Sequence, residues 1–414
     1  MEINFLGGAK EVGRLSIYIK TNKERFLLDY GIDIQEMKIP IRPIPNITAV
    51  FLSHAHLDHS GLLPELYKRG YSSGIYANPL TLDLTYMLLY DSLNVQKKKG
   101  EAPHFSVHDI RKMEHLDVPM NNKEPIEFKT TTAQLRHAGH VPGASSILLD
   151  NNGKRVVFTG DINFSDTSLM KGADTNYTDI SAVICESTYH YKNHPPREEL
   201  AKQLKEKAQE TLLNGGTVML PSFALGRTQE MLLIMQDLGF PVYLDGMGKE
   251  ATKMILNHPE SVYNYKKLKA AFGAARKVKT KSDRSKALKK PSIIITTAGM
   301  LNGGPINFYI KKLHKQENCS LIMTGFQVPG TVGHTLMHTG RYVNEGLDIK
   351  PKFSIDFMDF SAHCGRDDLL NYLKKVNPEK VFPVHGENTE DFAKELKQMG
   401  FNAHAPENGE RVNI

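Results

Sequence analysis

Three imidazoles and a carboxylate occupy the six residues His54-Ala55-His56-Leu57-Asp58-His59, directly after the apolar run Thr48-Ala49-Val50-Phe51-Leu52. A polar loop whose histidines cap a strand end is the bland reading. Burying four such groups without a compensating partner is costly, which argues against it. In an extended loop His54 and His56 point to one side, while a turn at Leu57 swings Asp58 and His59 toward a second centre. Nitrogen with carboxylate oxygen suits zinc, and two ions ~3.5–4 Å apart are the arrangement used in phosphoester hydrolysis. The pattern therefore asks for a fold that gathers further ligands at neighbouring strand ends.

Two later segments answer that requirement. Arg136-His137-Ala138-Gly139-His140-Val141-Pro142-Gly143-Ala144 follows a strand-like stretch, and its small residues let the backbone approach a metal, with His140 as the ligand. Lys154-Arg155-Val156-Val157-Phe158-Thr159 reads as a buried strand delivering Gly160-Asp161, and the two oxygens of Asp161 can bridge two cations. Alone, each segment is more often a turn or a satisfied polar residue; order and spacing lift them together.

With these residues in place the chain resembles the metallo-β-lactamase superfamily. Its first motif looks like Asp29 in Phe26-Leu27-Leu28-Asp29-Tyr30-Gly31, an acid that in the family orients the metal-binding loop from behind. Glu186 in Val183-Ile184-Cys185-Glu186-Ser187-Thr188-Tyr189, His363 in Phe360-Ser361-Ala362-His363-Cys364 and His385 in Pro383-Val384-His385-Gly386-Glu387 resemble the three extra motifs of the β-CASP branch, which acts on nucleic acids. The two histidines are 22 residues apart. Their wording is similar to that of the nuclease subunit of cleavage and polyadenylation specificity factor and its archaeal relatives. Gly7–Arg14, Pro221–Arg227 and Ala298–Gly304 agree, so the resemblance covers nearly the whole chain.

The resemblance implies a ligand set and a mechanism. One zinc would take His54, His56 and His140 and the other Asp58, His59 and His385, with Asp161 between two Zn2+ per chain and water as the nucleophile. His363 would be the general acid or phosphate ligand at the leaving oxygen, held by Glu186. The implied products are a 3′-hydroxyl and a 5′-phosphate. Single-stranded RNA is the expected partner, and the archaeal relatives add the expectation of a homodimer. A DNA-processing member ranks lower, since that group tends to lack the histidine at position 385. A hydrolase of small esters or lactams and an inactive RNA-processing scaffold are the readings of another class. Exonucleases of the RNase J type usually carry Gly where this chain has Ala362, so an endonuclease is expected and a 5′-to-3′ exoribonuclease is the alternative.

Charge and composition restrict the setting. Net charge is +6 overall, but Lys266–Lys290 alone carries 11 Lys/Arg against Asp283, a net of +10 that leaves −4 elsewhere. A charge run is usually a solvated face; beside a phosphodiesterase-type site it suits a polyanion, and Lys277, Lys279 and Lys281 are the candidates. Three scattered cysteines, Cys185, Cys319 and Cys364, read as buried small hydrophobes rather than a disulfide framework. Neither a signal region nor an 18-residue apolar run is present, so no membrane span is expected and the cytoplasm is the expected compartment.

Periodicity places the motifs on elements. Up to about Gly160, short β-rich runs alternate with helices such as Pro79–Val95 and Val107–His115. After Tyr189 come helix Arg197–Leu213, strand Thr217–Leu220, helix Thr228–Leu238 and strands Val242–Tyr243, Ser292–Thr296 and Ser320–Thr324, a doubly wound pattern. The expected fold is thus α/β: a metallo-β-lactamase αββα sandwich over residues 1–188, an inserted doubly wound β-CASP domain over 189–352, and a return segment over 353–414, with the metal site facing the cleft. In the insertion, Ser222–Arg227 joins a strand end to a helix N-terminus, and Ala298-Gly299-Met300 is similarly placed; Ser222, Arg227 and Gly299 are candidate phosphate contacts.

Overall fold

Successive side chains of a strand point to opposite faces, and this alternation sets the layering around the histidine-rich loop. Phe26, Leu28 and Phe51 enter one buried cluster together with Ala133, Leu135, Ile147, Leu149, Val156, Phe158, Ile184 and Phe382. Their neighbours Leu27, Val50 and Leu52 face the other way and pack with Leu62, Leu66, Leu82, Leu89, Ile110 and Met113. In the same manner Val157, Val183 and Val381 turn outward onto Leu369, Leu373, Val376, Phe392 and Leu396. Two sheets therefore share an inner core, and each carries helices on its outer face: an αββα sandwich.

The computed structural model describes residues 1–414 and divides the chain into two compact units. The sandwich is the unit formed by Met1–Ser165, Gly172–Asn193 and His363–Ile414. Its first sheet runs in the order Arg411–Asn413, Glu2–Gly7, Ser16–Lys20, Arg25–Leu28, Ala49–Phe51, Ile75–Ala77, Val118–Pro119. The second sheet runs Val381–Val384, Ile180–Glu186, Lys154–Phe158, Ser145–Asn151, Thr131–His137, Pro125–Glu127. The helix begun at Pro79 continues four residues past the expected Val95, to Lys99, and stops where Gly100 takes the left-handed conformation at φ 72°.

The other unit comprises Asp166–Lys171 and His194–Ala362. Its six-stranded sheet is parallel throughout, in the order Arg276–Lys277, Val242–Asp245, Ser292–Thr296, Thr217–Pro221, Ser320–Met323, Ser354–Phe357, and a separate antiparallel pair joins Tyr342–Asn344 to Leu347–Ile349. Central strands such as Ser292-Ile293-Ile294-Ile295-Thr296 are buried on both faces, which is why they read as continuous apolar runs. Met219 and Ile294 share a core with Ile306, Tyr309 and Ile310, while helix Arg227–Met235 packs on the strand Ser292–Thr296 outside that cluster. Helices thus lie on both faces of the sheet. Because Ser354–Phe357 pairs with Ser320–Met323, that strand belongs to this sheet, and the chain re-enters the sandwich at His363. No helix is long and apolar enough to cross a membrane.

Phe51 is fully buried, with ring centroids of Tyr76, Phe26 and Phe128 at 5.3, 5.9 and 6.0 Å. Phe51→Ala should lower the unfolding free energy by about 3–5 kcal/mol. Leu213→Ala, at a side chain 70% exposed, should change it by less than about 0.5 kcal/mol. Urea denaturation of the two variants checks both values.

Candidate metal centre

Five strands of the sandwich, Arg25–Leu28, Ala49–Phe51, Lys154–Phe158, Ile180–Glu186 and Val381–Val384, end beside one another. Each is followed within three residues by Asp29, His54, Asp161 or His385, or closes on Glu186 itself. The expected turn at Leu57 is a single helical turn, Leu57–Ser60, which rotates Asp58 and His59 away from His54 and His56. Close backbone contact holds that turn: Leu15 N donates to Asp58 O at 2.8 Å and Tyr30 N to His59 O at 2.7 Å. A Cβ on Gly31 would lie 1.6 Å from Asp58 O, so only glycine fits there.

Three overlapping groups of donor atoms result, each within 4.8 Å: His54, His56 and His140 with Asp161; Asp58 and His59 with His385, which Asp161 also faces; and Asp161 and Glu186 with His385. In the first, Asp161 Oδ2 is 3.4 Å from His54 Nε2 and 3.5 Å from His140 Nε2, while His56 Nδ1 is 3.0 Å from His54 Nε2 and 3.3 Å from His140 Nε2. In the second, the other oxygen, Asp161 Oδ1, is 3.2 Å from His59 Nε2 and 3.5 Å from His385 Nδ1, and Asp58 Oδ2 is 3.3 Å from His385 Nε2 and 4.0 Å from His59 Nε2. Donors ~2.0–2.1 Å from a tetrahedral zinc stand about 3.3–3.4 Å apart, the spacing found in the first group.

The electrostatics point the same way. His59 Nε2 and Asp161 Oδ1 are buried and form no hydrogen bond, although they face each other. Their 3.2 Å contact lacks hydrogen-bond geometry, and a cation between the two atoms would satisfy both. Burial and the neighbouring His59 charge push the His54 imidazole well below its ordinary pKa, which leaves a neutral nitrogen donor. Burial opposes charge on His59, but Asp161 and Asp58 outweigh it and raise its pKa well above the ordinary value. For Asp161 burial opposes ionisation, yet His59, His385 and His363 hold its carboxyl well below the usual range. An ionised carboxylate facing imidazole nitrogens on both sides is the donor chemistry of a divalent metal centre, and these residues fit one.

Behind the donors lies a set of orienting groups. Asp29 is fully buried, sits at φ 56°, and accepts Ser53 N on Oδ1 at 2.7 Å and both Ser53 Oγ, at 2.6 Å, and His59 Nδ1, at 2.7 Å, on Oδ2. His385 takes a left-handed backbone at φ 49°; its N–H donates to Gly8 O at 2.7 Å, and Thr188 Oγ1 stands 3.2 Å from its Nδ1. Beside the two groups His363 Nδ1 meets both oxygens of Glu186, at 2.9 and 3.0 Å. Glu186 is itself fixed by Ile162 N at 2.8 Å. Burial disfavours the His363 cation, but Glu186 and Asp161 prevail and raise its pKa to about 9 in the metal-free protein. A cation on Asp161 would withdraw part of that support. Ser53 and Thr188 escaped the sequence reading because isolated hydroxyl residues carry no spacing signal; their adjacency to His54 and Glu186 was the only cue.

The candidate substrate contacts occupy the second unit and are less uniform. Ser222 is buried, its hydroxyl donating to Leu220 O at 3.2 Å, and Gly299 is buried with its Cα close to Phe223. Arg227 is also buried, and its guanidinium donates to Thr324 O at 2.9 Å, so it braces the strand ends. Lys277 folds back onto the carbonyl of Phe272 at the end of helix Tyr265–Ala274 and covers the Phe272 ring, whereas Lys279 and Lys281 are exposed.

Comparison with known proteins agrees with this architecture. Residues 9–188 match the metallo-beta-lactamase superfamily, 228–336 the Beta-Casp domain and 347–406 the Zn-dependent metallo-hydrolase RNA specificity domain. The chain is 38% identical to "Probable RNase MJ4" of Methanocaldococcus jannaschii over the full length of both. It is 34% identical to "RNase aCSPSF2" of Saccharolobus solfataricus, covering all of this chain and 85% of that protein. It is 31% identical to "Transcription termination factor FttA" of Pyrococcus abyssi, covering all of this chain and 71% of that one. A crystal structure of a protein of unknown function from Enterococcus faecalis V583 superposes with a TM-score of 0.65 at 15% identity, over 99% of each chain, and so shares the fold. With similarity to these relatives along the whole of this chain and all three domain matches in order, the chain belongs to the β-CASP metallo-β-lactamase ribonuclease family.

Proposed function

We propose that the protein is a two-zinc ribonuclease of the cytoplasm that hydrolyses phosphodiester bonds of single-stranded RNA endonucleolytically, leaving a 3′-hydroxyl and a 5′-phosphate. The observation that carries this reading is Asp161, whose two oxygens face two separate sets of imidazole nitrogens. His54, His56 and His140 would hold one ion and Asp58, His59 and His385 the other, with Asp161 shared. When bound, such ions lower the pKa of water and offset negative charge on the reacting phosphate. The named relatives supply the substrate class: two are called RNases and one a transcription termination factor.

The chain's own groups complete the chemistry. His363 stands beside the metal groups, 4.0 Å from Asp161 Oδ2, with Nδ1 committed to Glu186, so that Nε2 is the nitrogen able to give a proton to the departing ribose oxygen. Glu186 fixes the ring and supports its charge. Asp29 and Thr188 orient His59 and His385. Lys279 and Lys281, exposed on the basic stretch, attract the phosphate backbone.

His363→Ala should abolish RNA cleavage and retain two zinc ions per chain, whereas Asp161→Ala should lose both metal and activity. Metal analysis beside a cleavage assay separates the roles, and loss of a metal ion in the His363 variant would make that residue a ligand. Changing Lys279 and Lys281 together to Gln should flatten the salt dependence of binding to single-stranded RNA by up to about 1.4 units of slope, at roughly 0.7 per phosphate contact. An unchanged slope returns both lysines to a solvated face. Circular single-stranded RNA should be cut by the wild type and left intact by Asp161→Ala. A circle that survives while linear 5′-monophosphate RNA is degraded would favour the exonuclease that the usual Gly at the position of Ala362 marks.

A further inference from the structure

His54 and His59 belong to different donor groups, yet the ring nitrogens they turn away from those groups meet at one hydroxyl. Ser53 Oγ is 2.6 Å from Asp29 Oδ2, 3.1 Å from His54 Nδ1 and 3.4 Å from His59 Nδ1. His59 Nδ1 reaches the same carboxylate oxygen directly, at 2.7 Å. Proton accounting decides the direction of each bond. Burial pushes the Asp29 pKa up, but Ser53 N and His59 Nδ1 both turn toward its oxygens, the surroundings of an ionised carboxylate, which has no proton to donate, whereas a hydroxyl has one. The short contact to Asp29 Oδ2 takes the Ser53 proton, so a hydrogen bond between that hydroxyl and His54 runs from Nδ1–H, in competition with Asp161 Oδ2 and His56 Nδ1, which face Nε2. With Nδ1 protonated, His54 Nε2 is the unprotonated nitrogen, and it is the one that faces Asp161 Oδ2 at 3.4 Å.

We propose that Ser53 is a positioning residue that extends the orienting action of Asp29 from His59 to His54, so that a single buried carboxylate fixes the ring tautomer on both halves of the metal centre. Asp29 acts on one half directly and on the other through the Ser53 hydroxyl. The site is built for this: Ser53 is 1% exposed, and a Cβ on Gly160 would lie 2.6 Å from Ser53 Cβ, so glycine at 160 lets the serine sit against the Asp161 turn. Neither the bond from Ser53 N to Asp29 Oδ1 nor that between His59 Nδ1 and Oδ2 involves the Ser53 hydroxyl. Ser53→Ala is therefore a selective cut of the relay.

The inference rests on the two-metal reading, but its first test needs no metal. In metal-free protein, nitrogen-15 NMR of the imidazoles should show His54 protonated on Nδ1 in the wild type and shifted toward the Nε2-protonated form in Ser53→Ala. Titration with zinc against a chromophoric chelator should then show one of two binding steps weakened about tenfold or more in Ser53→Ala, in line with the usual 10–100-fold effect of orienting groups, with the other step unchanged. Asp29→Asn should weaken both steps. An Nε2-protonated His54 in the wild type would overturn the relay without recourse to any variant. So would a Ser53→Ala protein whose two zinc steps are both unchanged or both weakened equally. Wild-type protein with His54 in the expected tautomer but no zinc uptake would overturn the two-metal reading and leave the hydrogen-bond relay standing.

Discussion

The burial of Asp161 is the constraint on which the centre depends. A carboxylate 3% exposed and ionised is unfavourable by itself, and the surrounding residues compensate it from two sides, His54 and His140 on one oxygen and His59 and His385 on the other. To place four imidazoles around one carboxylate the chain must bring segments hundreds of residues apart to one edge. Parallel pairing of Lys154–Phe158, Ile180–Glu186 and Val381–Val384 brings Asp161, Glu186 and His385 to one side, since parallel neighbours end together, and Ala49–Phe51 of the other sheet leads into His54 and His59. The inner core between the sheets holds those strands in register.

Rigidity behind the donors matters as much as the donors. Asp29 and His385 both adopt left-handed backbones, conformations that cost non-glycine residues energy and persist where surrounding contacts over-determine them. Here the contacts are explicit: three bonds onto the Asp29 carboxylate, and the Gly8 carbonyl and Thr188 hydroxyl at His385. Glu186 serves His363 in the same way. The centre is therefore preorganised by hydrogen bonds and backbone geometry behind the donors, not only by the donor atoms that would hold a metal.

Much of this was legible in the sequence, for a physical reason. His54, His56, Asp58 and His59 are too costly to bury together without a function, so their density is a signal in itself. Strand-end placement singled out His140 and Asp161, strand–helix alternation after Tyr189 carried the doubly wound pattern, and the αββα sandwich came with the family resemblance. What stayed hidden depends on direction and contact. Ser53 and Thr188 are ordinary residues until their hydroxyls are seen against ring nitrogens. A count of cations could not show that Lys277 turns back onto Phe272 while Lys279 and Lys281 stay exposed, or that Arg227 spends its guanidinium on Thr324 O.

The sandwich is assembled from three stretches of chain, and its first strand, Glu2–Gly7, pairs with its last, Arg411–Asn413. Closure over such separations is slow, because chain entropy is lost before the contacts form. On the ribosome, where synthesis proceeds from the N-terminus, His54, His140 and Asp161 emerge long before His363 and His385. A nascent chain therefore exposes the histidine-rich loop, His140 and Asp161 before the segments that bring His363 and His385 to them. The order of the segments thus makes completion of the two donor groups wait on the return segment that carries His385.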